Sequence, residues 1–131
     1  MTANAISTIA LSGLAASRRR IETAASNLVN IASAGTPETV FKPQRTVLAP
    51  APGGGVRAGT KPLTPAFTTI FAPDHPDAAG DGSLAVPNIF AAGEIVEIRA
   101  ARAGYEASLR LLRVADERDA RLLDIFDDRK G

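Results

Sequence analysis

Apolar residues recur every three or four positions at both ends of the chain, and the middle breaks the pattern. Ala10, Leu14, Ser17, Ile21, Ala24, Leu28 and Ile31 fall on one stripe at alternating steps of four and three. That is the spacing of a helix burying one face in a heptad-like seam. No proline interrupts residues 3–31, and Arg18, Arg19, Arg20 and Glu22 stand mostly off the stripe, where solvent reaches them. Gly35 and Pro37 predict the stop near Ala34, since glycine caps a helix end and proline cannot continue it. A second stripe, Ile98, Ala101, Tyr105, Leu112, Ala115, Leu122 and Phe126, runs through residues 91–128, again without proline. Ile95, Leu109 and Ile125 flank it, and Gly93 and Gly104 are its weak points. At 1.5 Å per residue such a helix extends roughly 55 Å. It cannot bury its stripe within a small globule, so it needs another long helix, and the N-terminal one is available.

Between the stripes the texture changes. All nine prolines lie between Pro37 and Pro87, with Gly53, Gly54 and Gly55 in a run among them. Three β-favouring pieces stand between the breakers: 39–41, 46–48 and 67–71. They predict a small sheet of short strands, kept short or edge-like by the prolines. The expected fold is therefore mainly α with a small irregular β insert. Its long N- and C-terminal helices pair as an antiparallel coiled-coil hairpin. Residues 1–34 supply the first helix, 35–90 the Pro/Gly-rich insert and 91–131 the second helix.

Composition narrows what such a hairpin does. Aromatic residues make up only 5% of the chain, so a core built here is thin and rests on alanine. Apolar residues such as Ile9, Leu11, Leu111 and Leu123 lie off the main stripes, which favours burial against helices of other subunits. Fifteen basic and fourteen acidic residues leave a net charge of +1, with no global field toward nucleic acid or membrane. The chain has no cysteine, which removes disulfides and thiolate metal sites. Its first residues show no basic start followed by a long apolar run, so a cleaved secretory signal is not expected. No segment approaches the ~20 apolar residues of a membrane span.

Catalytic chemistry finds no foothold. His75 is the only histidine; with Asp74, Pro76 and Asp77 it reads as a turn, because no second histidine or cysteine completes a zinc site. No serine–histidine–acid set appears, and the Gly53–Gly55 run lacks the lysine and the strand–helix context of a phosphate-binding loop. No catalytic, cofactor-binding or metal-ligating residue is expected, and no small-molecule substrate. Arg18, Arg19 and Arg20 point in different directions on a helix. A solvated face, or pairing with acids such as Asp116, Glu117 or Asp119 of another subunit, accounts for them better than nucleic acid does.

Two stretches carry a family resemblance. The first runs Ser12-Gly13-Leu14-Ala15-Ala16, Arg20-Ile21 and Ala24-Ala25-Ser26-Asn27-Leu28-Val29-Asn30; it resembles the N-terminal signature of flagellar rod and hook axial proteins. The second runs Pro73-Asp74-His75-Pro76-Asp77-Ala78, Gly82, Val86-Pro87-Asn88-Ile89, Glu94-Ile95-Val96 and 100–107; it is similar to the FlgC family of proximal rod subunits. The resemblance leaves 38–72 unmatched. The chain departs from the pattern at Thr36, Phe90 and Ser108, and in the charged stretch 113–118.

The resemblance implies a structural subunit of the bacterial flagellar basal body, in the periplasmic rod that transmits torque from motor to hook. Its partners would be other copies of itself, other rod proteins and the flagellar type III export apparatus. Leu14, Ile21, Leu28, Ile98, Tyr105, Leu112 and Leu122 are the expected packing residues. Asn27, Asn30, Pro87, Asn88 and Glu94 mark the helix ends. Asn27 and Asn30 can bond freed backbone groups or reach across to a partner helix. Asn88 is placed as the N-cap of the second helix, and Glu94 meets its positive end. The alternative is a cytoplasmic helical-hairpin adaptor or export chaperone related to flagellar assembly.

Overall fold

The computed structural model describes residues 3–129. Met1, Thr2, Lys130 and Gly131, at the outer ends of the two expected helical segments, lie outside the described residues. Two long helices enclose a small β insert: α1 spans Ala3–Val29 and α2 spans Ala91–Asp128. Strands β1 (Gln44–Pro50) and β2 (Val56–Pro62) form one antiparallel hairpin, and β3 (Phe67–Phe71) and β4 (Ser83–Pro87) form another. Among the described residues, no helix is long and apolar enough to cross a membrane.

The helices run in opposite directions, and small residues set their contact. A Cβ placed on Gly13 would run into Ser108, and one on Gly104 would lie 3.1 Å from Ser17 Oγ. Ala10, Ala16, Ser17 and Ala24 on α1 and Ala101 and Ala115 on α2 are all buried. Small side chains let the backbones approach closely, so burial comes from many short contacts. Gly104 is thus a point of close approach on α2; the helix runs through it without a break.

α1 ends earlier than its composition predicts. The last helical residue is Val29. Asn30 then turns the chain, its Nδ2 donating to the Ser26 carbonyl at 2.8 Å and so satisfying a group that the next helical turn would have used. Gly35 is not a helix cap. It bridges to Ala85 of β4 through two backbone bonds of 3.1 Å, which ties the segment after α1 to the second hairpin.

The strand expected at 39–41 is also absent. Thr36 and Thr39 close a turn through their hydroxyls, and Val40 N–H donates to the Thr36 carbonyl at 2.9 Å, leaving no free edge to pair. The other two expected pieces are found: 46–48 lies inside β1, and 67–71 is β3. Pro43, fully buried, sits at the neck of the first hairpin, where its carbonyl accepts from the Leu63 N–H.

Candidate assembly surface

The start of α2 is held by side chains of α1 and α2 and by the backbone of β1. Asn27, buried near the end of α1, clasps β1: its Nδ2 donates to the Gln44 carbonyl at 2.7 Å, and its Oδ1 accepts from the Gln44 N–H at 3.1 Å. The same Nδ2 lies 3.2 Å from Glu94 Oε1 on α2. Asn27 therefore reaches across to partners, whereas Asn30 bonds its own helix end.

About two turns back along α1 and one turn on along α2, Arg20 meets Glu97 through two bonds, Nε to Oε1 at 2.6 Å and a terminal nitrogen to Oε2 at 3.0 Å. The hydrogen bond to Glu97 raises the Arg20 pKa above its ordinary value, partly opposed by desolvation. Arg18 instead pairs with Glu22 on its own helix. Neither arginine needs Asp116, Glu117 or Asp119 as its partner.

Asn88 does not cap α2. The N-cap position is Phe90, which makes no side-chain capping bond. Asn88 instead donates from Nδ2 to the Pro65 carbonyl at 2.8 Å and from its N–H to the Ala66 carbonyl at 3.0 Å, which ties the approach to α2 to the segment before β3. Two residues of extended chain separate Asn88 from the helix, too far for its side chain to reach the first free N–H groups. Pro87 is buried at the end of β4, opposite Phe67. Glu94 stands in the first turn of α2, as its charge favours.

The expected packing residues divide into two groups. Leu14, Ile21, Leu28, Ile98 and Leu112 are half-buried along the helix pair. Tyr105 and Leu122 are more open, at 37% and 44% exposure. Tyr105 stands at the flank of the small-residue contact made by Ala101, Gly104 and Ser108.

Leu122 is open for a different reason. Ten residues back from Gly13 and ten forward from Ser108, Ala3 falls level with Arg118, so α2 runs on past the first described residue of α1. Every described residue from 116 onward is exposed, including Leu122, Leu123, Ile125 and Phe126. Leu122 and Phe126 continue the line of Ala101, Ser108 and Ala115 that faces α1 further back. Val114, Arg118, Leu122 and Ile125 line a shallow groove along this free end.

Sequence reasoning missed Glu97, Gln44, Ser12 and the pairings of Gly13 and Gly104. Ser12 Oγ accepts from Val56 N–H at 3.1 Å while donating to the Ile9 carbonyl at 2.7 Å, which fastens the far end of the first β-hairpin to α1. No local pattern joins Arg20 to a residue 77 positions away, though Glu97 lies one helical turn from Glu94 and shares its face. Among the described residues, no three histidine, cysteine or acidic side chains come together as metal ligands would. His75 Nδ1 accepts from the Asp77 N–H at 3.1 Å and stabilises a turn.

No family model matches the chain. Two curated proteins do, both named flagellar basal-body rod protein FlgC, from Salmonella typhimurium (strain LT2) and Salmonella typhi. Each is 32% identical over 108 residues, covering 77% of this chain and 81% of the relative. At that identity and coverage the chain belongs to the FlgC family of flagellar basal-body rod proteins.

Proposed function

We propose that this chain is a structural subunit of the proximal rod of the flagellar basal body. It polymerises through its terminal helices as a coiled coil and transmits torque from motor to hook. Its partners are further copies of itself and other rod proteins. It reaches the periplasm through the flagellar type III export apparatus.

The observation that carries this reading is the free end of α2. Four large apolar side chains, Leu122, Leu123, Ile125 and Phe126, stand exposed where α2 runs past the described residues of α1. Burying one such side chain contributes about 1.5–3 kcal/mol, so contact with neighbouring helices supplies the drive for assembly. Contacts of one patch on a different patch of the next copy generate a helical array. Membership of the FlgC family supports the same role.

Deletion of the gene tests it, scored by motility and by electron microscopy of basal bodies. Loss of rod-containing basal bodies, restored by the intact gene, is the expected result. Intact rods in the deletion strain would overturn the proposal and favour a cytoplasmic adaptor or export chaperone.

A further inference from the structure

The first β-hairpin lies along α1 and is attached to it unequally at its two ends. At the base, Asn27 holds both backbone groups of Gln44, Pro43 is fully buried, and Leu63 N–H closes the neck by donating to the Pro43 carbonyl at 2.9 Å. At the tip, Val56 N–H donates to Ser12 Oγ of α1 at 3.1 Å. From Ser12 to Asn27 is fifteen residues, or roughly 22 Å of helix. The six steps from Gln44 to Pro50, which pairs with Val56, span roughly 20 Å of strand. The hairpin thus fits the distance between its two fastenings.

Its own burial is slight. Most residues of β1 and β2 are exposed, and open clefts remain between hairpin and helix, one of them between Ala15, Ala16 and Arg19 on α1 and Arg57 and Ala58 on β2. The tip turns through Gly53, Gly54 and Gly55, all with positive φ, and a Cβ on Gly55 would collide with Ser12. Segments with few buried contacts and exposed backbone bonds open at low free energy while the rest of the fold stays intact.

We propose that this hairpin is a hinged strap, fixed at Asn27 and Pro43 and releasable at Ser12, which covers a second face of α1 against other helices. Closed, it lies over Ile9, Ser12 and Ala16, beside the face already taken by α2. Open, it bares a face that, like the one that accepts α2, is built mostly of small residues, Ser12, Ala15 and Ala16, with Ile9 and Arg19 beside them. A helix of a second copy is its natural occupant, and that step rests on the rod reading above. Within that reading the strap limits when α1 can take a second partner.

Hydrogen exchange on the purified full chain tests the hinge. The Val56 amide should exchange at least about tenfold faster than the Gln44 amide and than the amides of α1 around Ser17. Equal protection at tip and base overturns the proposal. The chain has no cysteine, so single reporters are clean. Ser12→Ala should raise the thiol-labelling rate of an Ala16→Cys variant about tenfold and leave that of an Ala101→Cys variant, inside the helix pair, unchanged. A common rise at both positions, or none at either, overturns it. In sedimentation, Ser12→Ala should shift the chain toward larger species at equal concentration; no shift overturns the shielding role. Exchange and labelling need no rod, so they decide the strap even where the deletion strain builds rods normally.

Discussion

Arg20 and Glu97 face each other across the helix pair as a bidentate ion pair, 2.6 and 3.0 Å at its two bonds. The small side chains around them discriminate poorly between neighbouring registers, because sliding one alanine past another changes little. A charge pair with two fixed bonds discriminates well. Both side chains keep some solvent contact, which discounts the energy. Arg20→Ala and Glu97→Ala should each cost about 1 kcal/mol. Chemical denaturation of the two single variants and the double variant should return a coupling of about 0.5–1.5 kcal/mol, and zero coupling would remove the pair from the account of register.

Gly13 admits no larger residue while Ser108 stands opposite. Gly13→Leu should destabilise the fold by about 2 kcal/mol or more through overpacking. Gly13→Ala should cost less in a Ser108→Ala background than in the natural one, since the clash is with the serine hydroxyl. Thermal unfolding of the four variants checks this, and an equal cost in both backgrounds would contradict the close approach.

Thr46 Oγ1 is buried without a hydrogen-bond partner among the described residues. Valine keeps the shape and removes the unpaired hydroxyl, so Thr46→Val should be neutral or stabilising by up to about 1 kcal/mol. A loss of that size in urea denaturation would mean that the hydroxyl has a partner in solution.

The free end of α2 should separate folding from assembly. Leu122→Asp with Phe126→Asp removes exposed apolar area, so the isolated chain should unfold within about 0.5 kcal/mol of the parent. The same variant should fail to restore motility to a deletion strain. Restored swimming would show that this surface is not used.

Asp81 gives a pH signature to the β3–β4 turn. Hydrogen bonds from the Ser83 hydroxyl and then its N–H hold the carboxyl below its ordinary pKa of 3.8. A lowered folded-state pKa contributes stability that is present above the unfolded value and is lost as pH falls through the folded one. Acid titration by NMR should show Asp81 titrating below ordinary aspartates, with the Ser83 amide moving with it. Ser83→Ala should return it toward the ordinary value.

Much of the architecture is legible in the one-dimensional pattern. Seven-residue spacing places Leu14, Ile21 and Leu28 on one face, and proline-free length predicts both helices, because those signals act within a few turns of backbone. The 67–71 strand is legible for the same reason. The pairing of Arg20 with Glu97 is not, since it depends on where the whole insert returns the chain, and that of Asn27 with Gln44 depends on how the turn after α1 lays β1 back against the helix. The end of α1 at Val29 and the turn at 36–40 went against local propensity because side-chain oxygens and amides offered the backbone nearer partners. The importance of Gly104 was hidden in the same way: a weak helix former in sequence is a close approach in three dimensions.

The unequal lengths of α1 and α2 have a mechanical consequence. In the assembly proposed above, the end of one arm would not coincide with the end of the other, so the joints would be staggered like courses of brick. Shear applied along the axis would then cross continuous helix beside each joint instead of loading a single plane of contacts.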